Sequence, residues 1–373
     1  MSPQPGSTAD TTSTSGTGDT GLQLDRLSVG YQGRRRRWVP LLWDVHAVAR
    51  RSELTVLLGP NGTGKSTLLR TLSGLSAPLA GTCRLDAVDL AQLGEADRAR
   101  SLAVVLTERS SPALLTSREL VALGRHPHTG LTGRLSAHDH EQVAWALAAV
   151  GATQLAERRV AELSDGERQR VFVARALAQD PAVMLLDEPT AFLDASARVS
   201  VISLLRRLAR QRDMAVVVCT HDLELALRVA DAVWLLSEGS LRSGTPEELT
   251  LSGEIGVVFD SSDLVFDPTA GVFRPEPDTG PTPTAHVTGP NPYAAAVGRA
   301  LTRAGWKVWP EPGQDASPDT APDTADSGTS HLPLLAVHAS AAGYRSTHAG
   351  NEREHASLGE LTRWAQRLAS ERS

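Results

Sequence analysis

A glycine-rich octapeptide between a predicted strand and a predicted helix constrains this chain more than any other stretch. Gly59–Ser66 reads GPNGTGKS, which matches the pattern GxxxxGK[ST]. Leu54–Leu58 before it is a short, largely apolar run that predicts a buried strand, and Thr67–Leu72 after it is typical of a helix. A strand that turns into a helix through glycines directs backbone N–H groups at one position, which suits a polyphosphate. The segment therefore predicts nucleotide binding.

The same motif assigns roles to individual side chains. Lys65 can reach the β- and γ-phosphates of a bound nucleotide, and the hydroxyl of Ser66 can bind Mg²⁺. Glycines let the backbone approach the phosphate oxygens closely because they carry no Cβ atom. The nucleotide-binding residues expected here are Gly59, Pro60, Asn61, Gly62, Thr63, Gly64, Lys65, Ser66 and Thr67.

Charge and composition exclude several classes of protein. The net charge of -6 argues against nucleic acid as a main partner, since phosphate contacts need a basic surface. No run of 18 or more apolar residues is present, and the N-terminus lacks the pattern of a secretion signal. Cys83 and Cys219 lie in apolar segments and are expected to be buried free thiols in a reducing compartment. We expect a cytosolic protein that reaches a membrane through a partner.

Strand-like and helix-like segments alternate through the first two thirds of the chain. Leu102–Leu106, Pro181–Leu186 and Ala215–Cys219 are apolar runs of buried-strand length, and helical segments separate them. Such alternation predicts an α/β fold with a largely parallel sheet. Residues 112–163 show helical patterns and no strand, so we expect a helical subdomain, about residues 112–165, inserted into the core.

The composition changes at both ends of the chain. Residues 1–21 are rich in Ser, Thr, Gly and Asp, which predicts a disordered tail. Residues 256–284, with the Pro/Thr-rich run Pro275–Pro283, are predicted to be a linker. Residues 285–373 predict a small accessory α/β domain with a disordered loop at 310–330. The core predicted for that domain consists of Val308, Trp309, Leu335, Val337, Leu361 and Trp364, with Trp306 or Trp309 facing outward.

Three further motifs with residues suited to ATP chemistry follow the phosphate loop along the chain. The strand ending in Asp187 and Glu188 would place one carboxylate beside Mg²⁺, through water, and the other as general base for the attacking water. His221 follows the next apolar strand, where a γ-phosphate contact is favoured. Ser164 stands before a predicted helix, and its hydroxyl and the helix N-terminus form a second anion site. The alternatives are a solvated acidic pair and a structural histidine.

These motifs together resemble the nucleotide-binding subunits of ABC transporters, over residues 22–250. The resemblance implies a P-loop ATPase cassette, residues 22–255, with a mixed sheet core, an antiparallel β subdomain and the helical insertion. It implies ATP and Mg²⁺ as cofactors, with Tyr31 stacked on adenine. It implies a head-to-tail homodimer with two ATPs at its interface. Ser164 and Gly166 would contact the ATP of the opposite subunit, and Asp194, in Ala191–Asp194, would lie at the junction.

Within that superfamily, the segments Leu163–Arg170, Glu119–Arg125 and Pro189–Asp194 are similar to importers of iron–siderophore, haem and cobalamin type. The resemblance implies a motor subunit that drives a separate permease, most closely one for iron–siderophore complexes. It would sit peripherally on the cytoplasmic face of the membrane, and a substrate-binding protein would act through the permease. Haem or cobalamin import, and a non-transport ATPase or regulator, are the alternatives.

Two segments depart from the pattern of the family. Asp165 and Glu167 replace the usual Gly and Gln of the signature motif. The loop after Leu106 carries Thr107 and then Glu108 where the family has a metal-binding Gln. Either the hydroxyl of Thr107 or the carboxylate of Glu108 could take that role, and we expect Thr107 to bind Mg²⁺.

Overall fold

The computed structural model describes residues 21–32, 38–106, 114–129, 133–261, 264–275, 283–309 and 335–370. The chain divides into two compact units, Met1–Arg274 and Pro275–Ser373. The predicted disordered tail, residues 1–21, lies outside the described residues except for Gly21, which is described and buried. The predicted disordered loop 310–330 also lies outside them, as do Thr107 and Glu108.

The elements of the first unit follow the predicted alternation closely. Its strands are β1 (Leu22–Gln32), β2 (Trp38–Ala49), β3 (Leu54–Leu58), β4 (Ala80–Leu85), β5 (Val88–Asp89), β6 (Leu102–Val105), β7 (Val183–Asp187), β8 (Ala215–Cys219), β9 (Ala232–Ser237), β10 (Ser240–Gly244), β11 (Leu264–Asp267) and β12 (Val272–Pro275), the last residue of β12 opening the second unit. Its helices are α1 (Lys65–Leu72), α2 (Glu95–Ser101), α3 (Ser117–Ala122), α4 (Ala137–Ala149), α5 (Asp165–Ala178), α6 (Ala195–Arg212), α7 (Leu223–Val229), α8 (Pro246–Leu251) and α9 (Glu254–Phe259).

The central sheet has six strands in the order β10-β9-β3-β8-β7-β6, and all neighbours except β9 and β10 are parallel. Both of its faces are covered. Val56 of β3 packs into one hydrophobic cluster, whereas its neighbour Leu57 packs into a second cluster on the opposite face. Strands buried on both faces favour apolar residues at nearly every position, and this explains the largely apolar runs of β3, β7 and β8. The predicted α/β class is confirmed.

A second sheet, in the order β2-β1-β4-β5, is antiparallel throughout. Leu22 and Leu24 of β1 are buried, and after an irregularity in the register Leu27 and Val29 are buried in the same alternating way. The predicted antiparallel subdomain is therefore present. Tyr31 lies at the end of β1 and is half exposed.

Between β6 and β7, the described residues form α3, α4 and α5 and the 3-10 turns Leu123–His128, Thr153–Leu155 and Val160–Glu162. Arg125 and Asp139 form a buried ion pair there, with Nε and Oδ1 2.8 Å apart. Hydrogen bonds from Ser136 and from Arg125 hold the pKa of the Asp139 carboxyl far below its usual range, so the pair stays charged inside the helical layer. The cost of removing both charges from water offsets much of their attraction, so such a pair adds little net stability.

The structure differs from the prediction at residues 256–275, which were expected to be linker. They contain most of α9 and the β11–β12 hairpin, and they belong to the first unit except for Pro275. Phe266 and Phe273 pack edge to face with ring centroids 5.6 Å apart, and Phe259 meets Phe273 at 6.2 Å. Each element is four to six residues long, too short for a periodic pattern.

The second unit has its own core. Its elements are β13 (Thr284–Thr288), α10 (Tyr293–Arg303), β14 (Lys307–Trp309), β15 (Leu335–Ser340), β16 (Gly343–His348), β17 (Asn351–His355) and α11 (Leu358–Ser370). The strands form one sheet in the order β14-β13-β15-β16-β17. Leu335, Val337 and Leu361 are buried as predicted. Trp309 is 37% exposed, so its assignment to the core was wrong, whereas the prediction that Trp306 or Trp309 faces outward is confirmed. Trp306 is the buried tryptophan, and its Nε1 donates to the carbonyl of Ala365 at 3.0 Å.

A buried histidine joins β17 to β16 and α11 in this unit. His355 is buried, with Nε2 2.8 Å from Oγ of Ser346, and its ring lies 5.1 Å from that of Trp364. Burial lowers the pKa of His355; the positive charge of Arg353 acts in the same direction, and Glu360 opposes it. The folded unit therefore disfavours protonation of this ring.

We predict that the second unit loses stability as the pH falls below the ordinary histidine pKa of about 6.5. The unfolded chain binds a proton there that the folded chain does not, so the stabilisation is fully present above that pH. Hydrogen exchange of peptides from β17 and α11 should speed up between pH 7.5 and pH 5 beyond the intrinsic chemical trend. His355→Gln should flatten this dependence, and an unchanged dependence in that variant would contradict the assignment.

Candidate functional site

The phosphate loop joins the end of β3 to the start of α1. Gly62 and Gly64 have φ of 85° and 100°, in the left-handed region that favours glycine. A Cβ atom on Gly59 would lie 2.8 Å from the carbonyl oxygen of Leu236, so a side chain cannot fit there. Within the part of the chain that the structure describes, no side chain caps the first turn of α1, so its N–H groups are available for a ligand.

Lys65 is held inside this loop. Its Nζ donates to the carbonyls of Gly59 and Pro60 at 2.6 and 2.9 Å, and the residue is 9% exposed. Ser66, the next residue, is exposed on the first turn of α1. A polyphosphate needs open space, N–H donors and a positive charge. The loop offers open space around Gly62, the N–H groups at the start of α1 and the ammonium of Lys65, so the residues present fit ATP.

The two carboxylates stand at the end of β7. Asp187 is the last residue of the strand and lies opposite Cys219 of β8. Glu188 follows in a left-handed conformation, with φ of 48°, and its N–H donates to the carbonyl of Cys219 at 2.9 Å. A left-handed non-glycine residue costs about 1 kcal/mol, and such strain is concentrated at functional sites. The chain thereby turns sharply at Glu188.

His221 meets Glu188 at the same edge of the sheet. Its Nδ1 lies 2.9 Å from Oε2 of Glu188, while the imidazole itself is largely exposed. Oε2 is shielded from solvent, and within the described part of the chain no donor is aligned to hydrogen-bond it. This carboxylate oxygen can therefore accept a hydrogen bond from a water molecule that enters the site.

Charges of the phosphate loop and of the carboxylates both affect the pKa of one buried thiol, that of Cys219. Burial raises the pKa of Cys219, the negative charges of Asp187 and Glu188 raise it further, and Lys65 acts in the opposite direction. Lys65, both carboxylates and His221 thus stand at the carboxyl ends of the adjacent strands β3, β8 and β7. From the sequence, Cys219 was predicted only to be a buried thiol.

The signature segment and the residue expected at the subunit junction form a second group. Ser164 caps α5, and its hydroxyl donates to Oε2 of Glu167 at 2.9 Å. Hydrogen bonds from Ser164 hold the pKa of Glu167 below its usual range. Asp194 caps α6 by accepting from the N–H of Ala197 at 2.8 Å. A Cβ atom on Gly166 would lie 3.8 Å from that of Ala197, so the two helix starts are neighbours.

Comparison with known proteins identifies the family to which this chain belongs. A family model described as ABC transporter matches residues 42–191. An uncharacterized ABC transporter ATP-binding protein of Methanocaldococcus jannaschii is 39% identical over 254 residues, which cover 68% of this chain and 86% of the relative. The chain belongs to the ATP-binding proteins of ABC transporters. It is an ATPase of that family, and the resemblance stated from its motifs is confirmed.

Further relatives carry substrate names. A cobalamin import ATP-binding protein of Halobacterium salinarum is 40% identical over 294 residues, covering 77% of this chain and 72% of the relative. An achromobactin transport ATP-binding protein of Dickeya dadantii is 40% identical over 242 residues, covering 65% and 88%.

Among solved structures, a putative metal-chelate type ABC transporter in an inward-facing conformation matches 64% of this chain and 89% of that chain, with 28% identity and a TM-score of 0.56. A dimeric ATP-binding cassette bound to ADP and phosphate matches 60% of this chain and 98% of that chain, with 27% identity and a TM-score of 0.53. Among the described residues, no helix of this ABC ATPase is long and apolar enough to cross a bilayer.

Proposed function

We propose that this chain is the ATP-hydrolysing motor subunit of an ABC importer for iron–siderophore complexes. Its work is to convert ATP binding and hydrolysis into movement of a separate membrane permease, on whose cytoplasmic face it would sit peripherally. Through the permease it would serve a substrate-binding protein. The observation that carries the proposal is the joint placement of Lys65, Asp187, Glu188 and His221 at one edge of the central sheet.

We assign the steps of hydrolysis to residues of that edge. The amides of Gly59–Thr67 and the ammonium of Lys65 would bind the phosphates. Ser66 and Asp187, with Thr107 or Glu108 from the following loop, would hold Mg²⁺, which when bound neutralises charge on the phosphate oxygens. Glu188 would accept a hydrogen bond from the attacking water through Oε2 and orient it as general base. His221, beside that oxygen, would contact the γ-phosphate.

The remaining site residues are assigned to a symmetric dimer. Tyr31 would stack on adenine, and its half-exposed ring at the end of β1 can do so. Ser164 and Gly166 would contact the ATP bound by the second copy, and Asp194 would lie at the junction. The adjacent starts of α5 and α6 support one continuous contact surface, and the dimeric cassette structure supports the assembly itself.

The substrate class rests on relatives whose names refer to siderophores. Relatives named for iron(3+)-hydroxamate, ferric enterobactin and achromobactin are 34 to 40% identical to this chain. Cobalamin is the second candidate, for a specific reason. The alignment with the cobalamin import protein covers 77% of the chain. The unit Met1–Arg274 makes up a smaller share of the chain than that, so the alignment extends into the second unit.

Glu188→Gln tests the motor. The amide cannot accept the proton of the attacking water, so phosphate release should fall by about a hundredfold or more while ATP binding persists. Cells that carry only this variant should lose accumulation of ferric siderophore and keep accumulation of labelled cobalamin.

Glu238→Gln is the matched control for this test. Glu238 is exposed in the turn between β9 and β10, and its substitution should leave turnover and uptake unchanged. Wild-type turnover by Glu188→Gln would refute the assignment of the base. Loss of cobalamin uptake instead of siderophore uptake would transfer the proposal to the second candidate.

We further propose that the second unit is an accessory domain that tunes regulation or dimerisation and is dispensable for catalysis. All the site residues named above precede residue 222, and the second unit has its own core. Truncation after Arg274 should therefore leave ATP affinity and turnover within about twofold of the full chain. A folded truncation product that no longer binds ATP would show instead that the second unit completes the site.

A further inference from the structure

The segments that carry Glu188 and His221 leave neighbouring strands of the central sheet, and each leads into a helix. Residues 188–194 connect β7 to α6, and residues 220–222 connect β8 to α7. Nδ1 of His221 lies 2.9 Å from Oε2 of Glu188, although the imidazole is largely exposed. Few packing contacts restrain an exposed side chain, so the position of this imidazole depends on how firmly its backbone is held.

Arg198, in the first turn of α6, contacts both segments. Its Nε donates to the carbonyl of Leu193 at 2.9 Å, and its Nη1 lies 3.6 Å from Oδ2 of Asp222, the residue after His221. The other carboxylate oxygen of Asp222 accepts from the N–H of Leu225 at 3.1 Å and caps α7. One rigid, planar guanidinium therefore connects the start of α6 with the start of α7.

These contacts form a closed loop that includes Glu188 and His221. A backbone hydrogen bond to the carbonyl of Glu188 opens the turn that ends at Leu193. From Leu193 the contacts continue through Arg198 to Asp222. The backbone then leads to His221, whose imidazole returns to Glu188. Arg198 is the side chain that joins the two halves of this loop.

We propose that Arg198 is a positioning residue for ATP hydrolysis, which keeps His221 beside Glu188 by joining the segments that carry them. The inference rests on the roles proposed above for these two residues. A partly exposed ion pair adds little to the free energy of unfolding, so loss of Arg198 should affect geometry more than stability. Misplacement of a reacting group by about 1 Å can lower a rate by about a hundredfold.

Steady-state phosphate release by the full chain tests the proposal. Arg198→Ala should lower kcat by about tenfold, because the base and the histidine lose their fixed separation. The KM for ATP, and the ATP affinity from isothermal titration, should stay within about twofold of the parent, because the phosphate loop is intact. Arg198→Lys should recover part of the lost turnover, since an ammonium can pair with Asp222 but lacks the fork of the guanidinium.

Asp222→Asn tests the other end of the same contact. The amide can still cap α7 but no longer attracts the guanidinium as an anion, so kcat should fall while the affinity for ATP persists. Two residues that act through one contact are not additive. The double variant Arg198→Ala, Asp222→Asn should therefore be no slower than Arg198→Ala alone.

Arg207→Ala is the matched control, because Arg207 is an exposed arginine further along α6. Its kcat and melting temperature should match those of the parent. Parental turnover by Arg198→Ala would overturn the inference alone, and so would additive losses in the double variant, since the two residues would then act separately. Wild-type turnover by Glu188→Gln would refute the proposed base and, with it, the inference.

Discussion

The parallel register of β3, β8 and β7 is the constraint on which the whole site depends. The N–H of Thr220 donates to the carbonyl of Leu57, and the N–H of Glu188 donates to the carbonyl of Cys219. Each of these hydrogen bonds ties the chain just beyond one strand to the end of its neighbour. They bring the phosphate loop, the carboxylate pair and His221 together, although these segments are far apart in sequence. A slip of one residue in either pairing would turn the side chains at the strand ends to the opposite faces.

Burial of the central sheet on both faces makes that register rigid. Leu54, Val56 and Leu58 pack into the cluster that includes the helical insertion, while Leu57 packs into the cluster shared with β1, β2 and β4. The same packing keeps Lys65 and Oε2 of Glu188 away from solvent. Electrostatic interactions are stronger in such surroundings, so a buried ammonium attracts a phosphate more strongly than an exposed one would.

The elements that place the site were predictable because their patterns are local and strong. Continuous apolar runs identified β3, β7 and β8, and the glycine pattern identified the turn into α1. The contact of Glu188 with His221 and the left-handed backbone of Glu188 were not predictable, since they arise from tertiary packing. The hairpin β11–β12 and the strands β16 and β17 were missed because they are short or largely polar. Trp309 was assigned to the core because the pattern of a three-residue strand does not show which face is covered.

The chain contains two lysines, which makes one comparison of ATP affinity especially direct. Lys65 lies in the phosphate loop, and Lys307 is exposed on β14 of the second unit. Isothermal titration with ATP and Mg²⁺ should show that Lys65→Ala weakens binding by about tenfold or more, because a charge-assisted contact with phosphate is lost. Lys307→Ala should bind like the parent. Equal affinities of the parent and Lys65→Ala would contradict the account, because the loop at the end of β3 would then not hold the nucleotide.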